Sequence, residues 1–247
     1  MTLSNFKIII EYDGTHYHGW QRQKDDRTIQ QEIENALSTM TAERVTLIGS
    51  GRTDAGVHAY GQTANFICDT ELSETVFQKG LNSILPDDIV IKDCRLVNQA
   101  FHARYAVKSK VYHYRIINRA IPSAIGRQYA WFIRRKLDTT AMRSAISHVI
   151  GSHDFKSFEG TGSPRSHTTR NIMTANLTEH QDGLFVLKIE ADGFLRYMVR
   201  NIVGTLVDVG LGKITPVKFK EILKSKDRSN ASATAPPHGL FLMEVKY

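Results

Sequence analysis

Residues 49–62 read GSGRTDAGVHAYGQ and place one arginine, Arg52, and one carboxylate, Asp54, among closely spaced glycines. A phosphate-binding loop would close with Gly-Lys-Ser/Thr, and a dinucleotide turn would read G-x-G-x-x-G at the start of a helix. The stretch fits neither. It reads as a loop that presents a single acid, with Gly49, Gly51 and Gly56 allowing close backbone approach and His58 following. The same residues also suit a plain turn, in which an aspartate side chain accepts from the backbone two residues on. Residue type alone leaves both open.

Three further groups could do chemistry. Arg196 and Arg200 stand four apart in FLRYMVRNIVGTLVDVG (194–210), where Leu195, Met198, Val199, Ile202 and Leu206 recur at helical spacing. Arginines beside such an apolar stripe either snorkel to solvent or meet a carboxylate in a cleft, and Asp54 is a candidate for that carboxylate. Tyr112 and Tyr114 share one face of the strand-like VYHYR. Each ring can pack in a core or serve as the platform for a flipped base. Asp13, His16 and His18 in DGTHYHG have the residue types of a metal site, but the spacing is a weak signal and no metal is expected. G-x-S-x-G, H-E-x-x-H and C-x-x-C do not occur. The only cysteines, Cys68 and Cys94, lie in apolar segments and are expected as reduced core residues, too few for a disulfide framework.

The elements that must position these residues follow from periodicity. FKIIIEY (6–12), VTLIGS (45–50), QTANFICD (62–69) and DIVIKDCRLV (88–97) read as strands. Between them Thr28 opens a helix as a T-x-x-Q capping box, and Ser73 caps a second helix that Pro86 stops. The order β-α-β-β-α-β is the ferredoxin-like unit. The second half repeats it with additions. Strands are expected at 110–118, 128–134, 171–180, 184–192 and 239–247, and helices at 138–151, at 194–210 and after Thr215-Pro216. Gln181-Asp182-Gly183 signals a hairpin. The fold class is therefore α+β, with halves at 1–104 and 105–247 whose sheets could join side by side. The segment 153–170, HDFKSFEGTGSPRSHTTR, reads as a polar surface loop.

The 247 residues, 41% hydrophobic and 23% charged, have the balance of a globular protein, with no apolar run near the roughly 18 residues of a membrane span. No leader pattern precedes the first strand, and cytosol is the expected compartment. Charge is uneven. Residues 1–104 hold 10 Lys+Arg against 14 Asp+Glu, and residues 105–247 hold 22 against 11. A half with a net charge of +11 suits a polyanionic partner or a solvated basic surface.

GSGRTDAGVHAYGQ resembles the catalytic motif of the tRNA pseudouridine synthases of the TruA family. EYDGTHYHGWQRQ (11–23), LNSILPDDI (81–89), FHARYAVKSKVYHYRI (101–116), FLRYMVRNIVG (194–204) and APPHGLFL (235–242) resemble family segments in family order. The resemblance implies that Asp54 is the catalytic aspartate and that Tyr112, in K-x-Y-x-Y from Lys110, stacks the base. It implies that Arg200 of MVRN is the ion-pair partner of Asp54 and that Arg52 helps to open the RNA. No role is carried to Arg196. It further implies two ferredoxin-like halves sharing one mainly antiparallel sheet, helices on one side, and an RNA-binding cleft between the halves. The substrate implied is the anticodon stem-loop of tRNA, at positions 38–40, modified by a homodimer that needs no cofactor. A basic RNA-binding module without catalysis is the rival reading, disfavoured by the intact Asp54, Tyr112 and Arg200. A nucleotide hydrolase is disfavoured by the missing phosphate loop.

Overall fold

The structure, a computed structural model, describes residues 3–160, 162 and 167–247. In chain order the first elements are β1 (Leu3–Tyr12), α1 (Ile29–Thr41), β2 (Ile48–Gly49), β3 (His58–Asp69), α2 (Glu74–Ile84) and β4 (Ile89–Val97). Next come β5 (Ser109–Asn118), β6 (Trp131–Ile133), α3 (Thr139–Ile146), β7 (Gly151–Asp154), β8 (Thr169–Glu179) and β9 (Leu184–Ala191). The last are α4 (Met198–Gly210), α5 (Pro216–Ser225) and β10 (Leu240–Lys246). The fold is mixed α and β with mainly antiparallel strand pairing. Among the described residues no helix is long and apolar enough to cross a membrane.

The chain divides into two compact units, Met1–Lys108 with Phe241–Tyr247, and Ser109–Leu240. In the first, strands run in the order β4-β1-β3-β10, with β2 pairing β3. β1 is antiparallel to β3 and β4, while β10 runs parallel to β3. Phe6, Ile8, Ile10 and Tyr12 alternate into the core. Phe6 meets Phe66 of β3 at 5.3 Å and Phe77 of α2 at 4.7 Å between ring centroids, so three aromatic rings bind sheet to helix. Two buried amides do what apolar packing cannot. Asn65 Nδ2 donates to Asn5 Oδ1, Asn65 Oδ1 accepts from Ala103 N, and Asn5 Nδ2 donates to the carbonyls of Asn98 and Phe101. That network fastens residues 98–103 back onto β1 and β3, with every polar atom in it partnered.

In the second unit the order is β5-β9-β8-β7, all antiparallel, and the short β6 pairs with β5 in parallel. The expected hairpin joins β8 to β9, with Asp182 and Gly183 both at positive φ, as a tight reversal requires. Buried positions of α3, α4 and α5 (Met142 and Ile146, Ile202 and Leu206, Phe219 and Ile222) supply the helical part of the core. Ser73, Asp138 and Thr215 cap their helices by accepting from Val76, Ala141 and Lys218 N, respectively.

Several boundaries differ from the pattern. Thr28 occupies the N-cap of α1, but its hydroxyl makes no capping bond and is buried without a hydrogen-bond partner, so the capping box does not form. The strand expected at 45–50 shrinks to two residues, while β3 begins four residues early, at His58. The helix expected at 138–151 stops at Ile146 and tightens into a 3₁₀ turn, which frees Gly151 to start β7. The expected loop at 153–170 is partly sheet, since β7 pairs with β8 through His153 and Arg170. Arg165, within that segment, lies outside the described residues.

Cys68 and Cys94 are free and buried. Burial pushes their thiols up to about 11 and about 12, helped by Glu43 and Asp69 near the first and by Glu74 and Asp93 near the second. Because the thiolate is the reactive form, both should resist iodoacetamide at pH 8 in the native protein and react once it is denatured. Labelling of the folded chain at the rate of a free thiol would contradict this.

Candidate active site

Asp54 opens a tight turn. Val57 N donates to Asp54 O at 3.1 Å, and Gly56 takes φ +74°, the left-handed value such turns reserve for glycine. The Asp54 side chain is half-buried and Arg52 is exposed. The loop is pinned on both limbs rather than loose. Upstream, Ser50 N donates to Thr63 O at 2.8 Å, Ser50 Oγ donates to Gln62 Oε1, and Gln62 Nε2 donates to Gly51 O. A Cβ on Gly49 would come within 2.6 Å of the Trp20 ring. The glycines at 49 and 56 therefore serve the loop's own packing and turn.

The middle of the loop is held by the segment after β1. Trp20 N donates to Thr53 O at 3.1 Å, the Tyr12 hydroxyl and Thr53 Oγ1 lie 2.7 Å apart, and Gly56 N donates to Tyr17 O at 3.3 Å. Burial raises the Tyr12 phenol well above its ordinary range, which keeps it a neutral hydrogen-bonding partner. Glu34 steadies the approach to the loop. Its Oε1 accepts from Leu47 N at 3.0 Å and from Gln30 Nε2, and its Oε2 meets Arg22 Nη1 at 3.1 Å. Sequence reasoning missed Glu34, although a carboxylate next to Ile33 on the buried side of α1 is the signal that could have found it.

Asp13, His16 and His18 do not converge. Asp13 Oδ1 accepts from Thr15 N and Thr15 Oγ1 and lies 2.9 Å from His58 Nδ1, whereas His18 Nδ1 is 3.6 Å from Asp26. Among the described residues no cluster of His, Cys, Asp and Glu is arranged to hold a metal ion.

The other candidates belong to the second unit. Tyr112 and Tyr114 lie on the same side of β5 and separate by surroundings. Tyr114 is 0% exposed, its hydroxyl donates to Pro236 O at 2.8 Å, and its ring stands edge-on to Trp131. Burial raises the Tyr114 phenol, with Arg200 acting in the opposite sense. Tyr112 is 7% exposed and meets Phe194 edge to face at 5.1 Å. Arg200 sits in the first turn of α4. Its Nε donates to Ala235 O at 2.8 Å, Ala235 N donates back to Arg200 O, and its guanidinium lies 5.0 Å from the Tyr197 ring centre.

Beside it, the buried Asn201 anchors the helix start. Its Oδ1 accepts from Thr234 Oγ1 and Arg228 Nη2, while its Nδ2 donates to Phe158 O. The expected helix over 194–210 is corrected here. α4 begins only at Met198, because Tyr197 takes φ +60° and Gly160 N claims the Arg196 carbonyl at 2.7 Å. Arg196 is thus not one helical turn from Arg200. It lies before the helix, with Nη2 donating to the Tyr197 hydroxyl.

The family model for tRNA pseudouridine synthases matches residues 8–106 and 145–247. The chain belongs to that family. Curated relatives agree along the whole length. The tRNA pseudouridine synthase A of Acetivibrio thermocellus is 47% identical over 245 residues, 99% of this chain and all of the relative. Those of Thermoanaerobacter pseudethanolicus and Pseudothermotoga lettingae are 46% and 42% identical, with the same coverage. The synthase is an isomerase that acts on tRNA. Arg52, Asp54 and Arg200 fall inside the matched residues, and Tyr112 falls between the two matched stretches.

Proposed function

We propose that this synthase converts uridine to pseudouridine on the 3′ side of the anticodon stem-loop, at positions 38–40, with Asp54 as the acid that attacks the ribose. The observation that supports it most is the pinned turn, which holds a half-buried carboxylate beside an exposed arginine in a chain of this family. The reaction breaks the bond from N1 to ribose C1′, turns the uracil and joins C5 to C1′. The proton lost from C5 balances the one gained at N1. Nothing is oxidised or hydrolysed, so the chemistry asks for no redox cofactor or nucleotide. A carboxylate serves it as nucleophile towards C1′, or as base at C2′ in a glycal route. A free aspartate titrates at about 3.9 and is an anion at neutral pH.

The remaining roles follow from the same reading. Arg52 enters the stem as the base leaves it, Tyr112 stacks the extruded uracil, and Arg200 balances the negative charge of Asp54. Extrusion costs a few kcal/mol, offset by stacking of about 1–3 kcal/mol. Family resemblance carries the further readings of a homodimer working in the cytoplasm. The deciding experiment incubates the protein with an unmodified tRNA transcript and maps pseudouridine chemically. Product confined to the 3′ side of the anticodon stem-loop is the expected result, and product elsewhere or none would overturn the proposal.

A further inference from the structure

Four residues after Asp54, at the first position of β3, stands a histidine that the proposed chemistry does not use. The His58 side chain is 2% exposed and its ring lies nearly parallel to Phe241 of β10, with centroids 4.7 Å apart. Gly14 N donates to its Nδ1 at 3.1 Å, and Asp13 Oδ1 lies 2.9 Å from the same nitrogen. The ring thus joins both the backbone amide and the side chain at the start of the segment that follows β1. An apolar ring would fill the same space without the cost of burying a polar one. The imidazole therefore supplies a link that packing alone does not.

That link closes a backbone clamp. Gly14 lies so close to the Val57 carbonyl that a Cβ there would overlap its oxygen, and Gly56 N reaches Tyr17 O on the next turn. The Tyr17 hydroxyl in turn donates to Asp88, whose carbonyl takes Asp13 N at 3.0 Å. Residues 13–20 thus cross residues 53–58, and the imidazole–carboxylate contact joins the two strands of the crossing by side chains.

We propose that His58 is a positioning residue for Asp54, acting through Asp13 and the Gly14 amide. By fixing the downstream limb of the turn, it holds the Asp54 carboxylate in one orientation towards the ribose. Misplacement of a reacting group by about 1 Å can cost about 100-fold in rate. The proposal rests on Asp54 being the catalytic acid.

The test is single-turnover pseudouridine formation on an unmodified tRNA transcript, with tRNA Kd and Tm measured on the same variants. His58→Phe keeps a ring against Phe241 and removes the ring nitrogens. It should slow turnover by about 10- to 100-fold and leave Kd within about threefold. His58→Asn keeps an amide that can accept from Gly14 N near the Nδ1 position and should recover most of that loss. Asp13→Ala removes the link from its other end without emptying the core, and decides the matter if His58→Phe does not fold. Turnover within about threefold of wild type in the folded link-breaking variant would overturn the proposal, as would His58→Asn as slow as His58→Phe. Asp54→Asn is run alongside. If it is active, the reading of Asp54 fails. If it is inactive while His58→Phe and Asp13→Ala turn over normally, this inference fails alone.

Discussion

Asp54→Asn lowers pseudouridine formation by at least about 1,000-fold while the protein folds and binds tRNA nearly as before. The size of the effect follows from the chemistry. An amide offers no anionic oxygen to act as nucleophile or base, and such groups contribute about 10²–10⁴-fold or more to rate. Its selectivity follows from the structure. The turn is closed by the Asp54 backbone carbonyl, which asparagine retains, and the side chain is only half-buried. A change of one charge at such a position costs little stability. Chemical mapping of pseudouridine, together with filter binding of tRNA, makes the check, and residual turnover within tenfold of wild type would remove Asp54 from the reaction.

The two tyrosines of β5 should fail in different ways. Tyr112→Ala loses the ring proposed to stack the uracil, and stacking of about 1–3 kcal/mol corresponds to roughly 5- to 150-fold in turnover. Tyr112→Phe keeps the ring and should stay near wild type. Tyr114→Ala instead removes a side chain with 0% exposure and leaves the Pro236 carbonyl without its hydroxyl donor. Truncating a buried aromatic costs about 3–5 kcal/mol, so that variant should melt well below wild type and be recovered poorly. Thermal melts and single-turnover rates on the three proteins separate the cases. Equal loss of activity in folded Tyr112→Ala and Tyr114→Ala would withdraw the stacking role from Tyr112.

The reasons for each success and failure of sequence reading are local or distant. Periodicity located α1 and α2 because their buried residues recur within one helix, and Asp182-Gly183 marked the hairpin because both residues must adopt positive φ. The late start of α4 at Met198 was hidden. Leu195 keeps the apolar period although Tyr197 leaves helical geometry, and only the distant Gly160 reveals why. The same holds for the site. One acid among glycines was visible in GSGRTDAGVH, and so was its arginine. The clamp from Tyr12, Tyr17 and Trp20 joins residues roughly forty positions away and leaves no local signature. His58 stood in plain view beside Asp54, yet nothing nearby in sequence showed that its partner would be Asp13.

The parallel pairing of β10 with β3, Phe241 opposite His58, gives the order of synthesis a say in activity. A ribosome makes β1 to β4 and then all of residues 109–240 before Phe241 emerges. Until that moment the start of β3, at His58 and Ala59, lacks the strand that β10 lays beside it, and the His58 ring lacks the surface it rests on. Domains usually mature from the N-terminus as they are translated, but here the first unit waits for the whole of the second. A nascent chain halted before residue 241 carries every residue proposed for catalysis and still lacks the support beneath its reactive turn, so competence arrives late and all at once.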